Sequence, residues 1–78
     1  MDVSFSLKEL VKSPNFSIVP YKNALYLGEF VEGQRQGQGV FVSERSIYEG
    51  EFRNGLKTKG IESTSEGVYK GSYVNGYR

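Results

Sequence analysis

The 78-residue chain has no cysteine and no histidine. Without cysteine there is neither a disulfide framework nor a thiolate metal site. Without histidine the commonest metal ligand and acid–base group is missing. No run of 18 apolar residues occurs, and the N-terminus has no long apolar stretch of the signal-peptide kind. The expectation is a soluble, cytoplasmic protein. A net charge of +1 supplies no bulk attraction for nucleic acid or an anionic membrane. Neither a Gly-x-Ser-x-Gly turn nor a phosphate loop is present. Gly37-Gln38-Gly39 falls inside an expected strand, without the strand–helix context of a nucleotide fingerprint. The chain reads as non-catalytic, with no metal and no cofactor, although it would also serve as the non-catalytic front part of a larger enzyme.

What the chain has is glycine, ten of them, and eleven aromatic residues, arranged in a repeat. The stretch from Tyr26 to Phe41 is written again from Tyr48 and begun a third time at Tyr69. Tyr-x-Gly-x-aromatic-x-x-Gly-x-basic recurs after 22 residues and again after 21. A fixed period of this length signals an array in which each copy buries its apolar face on its neighbours. The third copy reaches only Arg78, short of its return strand. The expectation is therefore a fragment, a truncated array or a naturally unfinished one. Val68 to Val74 would then be an edge strand, and a homodimer through it is one way to pair its backbone.

Ahead of the repeats, residues 2–13 read as a short amphipathic helix, or an extended arm. Ser6 and Glu9 have capping-box spacing, Leu7, Leu10 and Val11 share a face, and Pro14 ends the segment. Phe16-Ser17-Ile18-Val19, closed by Pro20, suits an edge strand. On the repeat period Ile18 and Val19 take the places of Val40 and Phe41, so this is the worn second half of an earlier copy. The chain divides into a helix or arm at 1–15 and a hairpin array at 16–78, with copies at 26–47, 48–68 and 69–78.

Asn54-Gly55 and Asn75-Gly76 are hairpin dipeptides, and Glu32-Gly33 sits at the same place. A two-residue turn there sets Phe30 opposite Arg35, Gly28 opposite Gly37 and Tyr26 opposite Gly39. Opposed residues share a face, so large rings and bare glycines alternate on one side of the sheet. The second copy is one residue shorter between turn and glycine. Either a bulge restores parity or the turn is reshaped.

These residues resemble the MORN repeat family. Tyr26, Gly28, Phe30, Gly33, Arg35, Gly37, Gly39 and Phe41 match its pattern throughout. Tyr48, Gly50, Phe52, Gly55, Lys57 and Gly60 match with the deletion, and Tyr69, Gly71, Tyr73, Gly76 and Arg78 match the half present. The resemblance implies a mainly β fold: a single-layered, twisted antiparallel sheet of tandem hairpins forming an open trough. It also implies a scaffolding role, in which the aromatic face receives a helix or peptide from a partner or from the same chain. Members serve cytoskeletal, ciliary and membrane-contact assemblies, precede catalytic domains in some lipid kinases and methyltransferases, and are associated with phospholipid binding.

The functional expectation is accordingly a protein-binding module, with Tyr26, Phe30, Phe41, Tyr48, Phe52, Tyr69 and Tyr73 as the partner-binding row. The plain alternative is that these rings pack on one another. The N-terminal segment, with Phe5, Leu7, Leu10 and Val11, is a candidate internal occupant of the trough or a cap on the sheet's first end. Arg35, Lys57 and Arg78 recur at one position. They form either a structural ladder over the rings or, with Lys59 and Lys70, a basic ridge for an anionic lipid headgroup. Glu29, Glu32, Glu49, Glu51 and Glu66 lie among these cations and largely cancel their field.

Overall fold

Three tight turns organise the chain, and each needs backbone that most residues avoid. Glu32 and Gly33 take φ of 51° and 82°, Asn54 and Gly55 take 53° and 84°, and Asn75 and Gly76 take 53° and 85°. Two successive residues at positive φ make the turn whose twist matches paired strands. The computed structural model describes residues 7–77. It contains a short helix α1 (Leu7–Leu10) and strands β1 (Phe16–Tyr21), β2 (Ala24–Val31), β3 (Gln34–Ser43), β4 (Ser46–Arg53), β5 (Leu56–Thr64) and β6 (Gly67–Ser72). The strands pair antiparallel in sequence order as one open sheet. Among the described residues no helix is long and apolar enough to cross a membrane.

The N-terminal helix is shorter than the sequence pattern suggests, and residues 1–6, including Ser6 and Phe5, lie outside the described part. The helical turn tightens after Leu10, as Lys12 N–H bonds the Glu9 carbonyl and Ser13 N–H the Leu10 carbonyl. Backbone before proline disfavours helix, so the segment turns ahead of Pro14. Ser13 then donates to Glu29 Oε2 at 3.0 Å, and the Asn15 carbonyl accepts from Phe30 N–H. The segment thus caps the first end of the sheet. β1 takes the return-strand place expected of it, with Ser17 opposite Gly28 and Val19 opposite Tyr26. It runs through Pro20 to Tyr21 on the sheet edge, where a missing N–H is tolerated.

The hairpin register corrects one expectation. Val31 faces Gln34 and Phe30 faces Arg35, but Gly28 then faces Gly39, not Gly37, and Tyr26 faces Phe41, not Gly39. The cause is a bulge in which Gln36, Gly37 and Gln38 oppose Glu29 alone. The Glu29 carboxylate fills the gap by accepting from Gln38 N–H at 2.7 Å. Three against one is a shift of two, so the two faces keep their membership. In the second hairpin Gly50 faces Gly60 and Phe52 faces Lys57, which leaves Thr58 as a single extra residue. That bulge restores parity to the shortened copy.

Candidate functional site

Corrected register turns scattered glycines into a row. Ser17, Gly28, Gly39, Gly50, Gly60 and Gly71 lie side by side across the six strands. Beside that row runs another: Val19, Tyr26, Phe41, Tyr48, Glu62 and Tyr69. Tyr26 and Tyr48 are fully buried. Their rings lie flat over the glycines ahead of them, and a methyl group on Gly39 would overlap the Tyr26 ring.

The hydroxyls explain why this position is tyrosine. Tyr26 Oη donates to the Glu29 carbonyl at 2.7 Å, Tyr48 Oη to that of Glu51 at 2.8 Å, and Tyr69 Oη to that of Ser72 at 2.7 Å. Each phenol arches over Gly28, Gly50 or Gly71 to reach a carbonyl three residues on in its own strand. At Glu29 and Glu51 that carbonyl sits at a bulge, where the ladder is interrupted and an acceptor needs a donor. Burial, and next the neighbouring Glu29 charge, push the Tyr26 phenol well above its ordinary pKa. Burial likewise raises that of Tyr48 to about 12. Both rings stay neutral donors across the physiological range.

The second aromatic of each copy locks the rows together. Phe52 meets Tyr26 and Tyr48 edge to face, with centroids 5.2 and 5.1 Å away. Tyr73 meets Tyr48 and Tyr69 in the same way, both at 5.4 Å. Phe30 leans on Tyr26 at 6.2 Å. Six rings thus form one herringbone, a geometry that ring quadrupoles favour. Of the seven rings in the expected partner row, Tyr26, Tyr48, Phe52 and Tyr73 are core, while Phe30, Phe41 and Tyr69 remain half-exposed around it.

Arg35 and Lys57 lie over the rings, though not over the ones their backbone opposes. The Arg35 guanidinium sits 4.9 Å from the Phe41 centroid, 5.3 Å from Phe52 and 5.6 Å from Tyr21. It also donates to the Gly55 carbonyl at 2.7 Å, while the Arg35 carbonyl accepts from Gly55 N–H. One arginine therefore ties the first hairpin to the turn of the second. Lys57 Nζ sits over Tyr48 and Tyr73 and pairs with Glu62 at 3.4 Å. Glu62 accepts from Tyr73 Oη at 2.6 Å. Burial alone would raise its pKa, but the Tyr73 hydrogen bond and the Lys57 charge outweigh it and hold the carboxyl below the usual glutamate range. Arg78 lies outside the described residues.

Tyr21 and Glu62 are parts of this site that the motif does not name. Glu62 was findable, because it stands at the repeat position of Phe41. Tyr21 had no comparable signal, since the worn half-copy carries no glycine to mark its register.

Opposite the rings the sheet is different in kind. Leu25, Val42 and Ile47 are neighbours in one row that continues to Val68, with Ile18, Leu27, Val40 and Ile61 in the next. Ile18, Ile47 and Val68 are 60%, 44% and 69% exposed. No group of acidic side chains able to hold a metal occurs among the described residues.

A comparison with curated proteins found no match to the chain. Residues 26–44 and 48–58 match the family model of the MORN repeat. Repeats of that family are generally modules for protein or membrane interaction and are generally not enzymes. The matched stretches cover the hairpin β2–β3 and the tyrosine, glycine and phenylalanine positions of β4–β5, where rings lie over glycines, and the protein is a MORN repeat protein.

Proposed function

We propose that this chain is a non-catalytic scaffold that docks a helix or extended peptide of a protein partner on its ring face. The observation that carries this reading is the unequal burial of the rings. Phe30, Phe41 and Tyr69 stand half-exposed on a floor of rings that is already packed. A side chain inserted between them meets a surface that needs no ordering on binding, and little entropy is lost. Aromatic residues beside arginine are also the types that anchor interfaces. A phospholipid headgroup has weaker support. Arg35 is held by a carbonyl and three rings and Lys57 by Glu62 and two rings, so an arriving phosphate would compete with contacts already made.

The test is selection of an amphipathic-helix peptide library against the immobilised chain, with counter-selection on Phe41→Ser and Tyr69→Ser. Retained peptides are expected to lose binding to both variants and to shift amide resonances around Phe30, Phe41 and Tyr69. Peptides that bind the variants equally, or shift only the opposite face, would refute the proposal. Anionic liposomes at low salt are expected not to sediment the chain.

A further inference from the structure

The ring face covers itself, but its reverse leaves an apolar row open. A single sheet with one uncovered apolar face lacks the second layer that stable β architectures use. We propose that this reverse face is a homodimer contact, with two copies stacked into a two-layered sandwich about a two-fold axis parallel to the strands, between β4 and β5.

The occupant is inferred from self-complementarity. A two-fold contact requires that each residue meet its counterpart reciprocally. On the reverse face Glu51 of β4 and Lys59 of β5 stand at one height, as do Val42 of β3 and Val68 of β6. Rotation about the axis exchanges β4 with β5 and β3 with β6. It brings Glu51 of one copy over Lys59 of the other, and Val42 over Val68. Opposite charges meet at the centre and aliphatic side chains meet beside them. The molecule spans 34 × 28 × 21 Å, so its broad face can bury on the order of 800 Å² per copy, the size of a standard interface. The N-terminal turn leaves this zone free where its anchor is known, because Ser13 binds Glu29 on β2, two strands from the axis. A net charge of +1 adds little repulsion between copies.

Sedimentation equilibrium with charge-reversed variants tests the proposal. The wild-type chain is expected to show twice its 8.8 kDa mass, and Val68→Glu, at an exposed position, to show the monomer mass with an unchanged circular dichroism spectrum. Glu51→Lys and Lys59→Glu are each expected to be monomeric alone, because like charges then face each other across the axis. Mixed one to one, the two variants are expected to recover the dimer, since each reversed side chain meets its opposite on the other copy. Mixing cannot repair a fault within either chain, so recovery identifies an intermolecular contact. A wild-type monomer at the highest concentration used for NMR overturns the proposal. So does a monomer that dimerises only when residues 1–6 are deleted, which would assign the strip to the chain's own arm. A dimer indifferent to both reversals, as pairing through the β6 edge would give, overturns it too. None of these readouts touches the ring face, so failure here leaves the docking proposal standing.

Discussion

The hairpins β2–β3 and β4–β5 solve the same problem with different residues. Each lays a tyrosine over a pair of facing glycines, Gly28 and Gly39 in one, Gly50 and Gly60 in the other. Each interrupts its ladder with a bulge whose acidic residue binds the displaced strand. Glu29 takes the Gln38 amide across a three-residue bulge, whereas Glu51 takes the Thr58 hydroxyl at 2.8 Å across a single extra residue. Each places a cation above the rings. The first holds Arg35 against Phe41, and the second holds Lys57 against Glu62, the residue at Phe41's position. An aromatic face suits the planar guanidinium, while an ammonium, a compact point charge, is better held by a carboxylate. What is constant between the copies is the parity of the strands and a held cation. The residues that achieve them vary.

Phe52 belongs to both copies, so its loss should break the comparison altogether. Phe52→Ala is expected to destabilise by roughly 3–5 kcal/mol, read as a fall in the denaturant midpoint. In a chain this small that change should leave little cooperative unfolding. Next is the glycine pair. Gly39→Ala drives a methyl into a buried phenol and Gly60→Ala drives one against the Glu49 carbonyl. Both should cost about 3 kcal/mol, the upper end of overpacking, and a tolerated alanine at either would show that ring and glycine are not in contact. Tyr48→Phe keeps the ring but strips the donor from the Glu51 carbonyl. A loss of about 1–2 kcal/mol is expected, with Tyr26→Phe matching it if the two hydroxyls do the same job.

The two cation clamps can be separated by pH. Glu62 is ionised more readily in the folded chain than in the unfolded one, so its contribution is present above the ordinary glutamate pKa of 4.5 and is lost as pH falls through the lower folded value. Melting temperature should therefore drop on acidification through that window, and Glu62→Gln should flatten the drop. A variant that melts as steeply as wild type would remove Glu62 from the account. The smallest effect is a gain. Glu32 holds a left-handed φ that asparagine holds in the other two turns, so Glu32→Asn should stabilise by about 0.5–1 kcal/mol, measured by chemical denaturation.

Much of this architecture is local enough to read from the chain. The turns at Glu32-Gly33, Asn54-Gly55 and Asn75-Gly76 declare themselves through the few residues that tolerate positive φ, and the period between them implies a hairpin array. Alternation along a strand separates Tyr26, Phe30 and Phe41 from Leu25, Leu27 and Val42 without coordinates. It survives even where the register was misjudged, because the first bulge shifts pairing by two. The size of that bulge was not legible. It depends on whether the Glu29 carboxylate reaches the Gln38 amide, a contact between strands that no spacing encodes. Ring burial was not legible either. Seven rings placed on one side of a single layer should meet a ligand or stay wet, but edge-to-face packing let four of them bury one another. Tertiary structure also chose the partner of each cation, since Arg35 and Lys57 reach past the rings they oppose to rings of neighbouring strands. Sequence alone determined the turns, the strand parity and the sorting of aromatic from aliphatic faces, because these follow from single residues and their immediate neighbours. Only the tertiary structure decided which rings are core and which are surface, because burial is a property of the whole array.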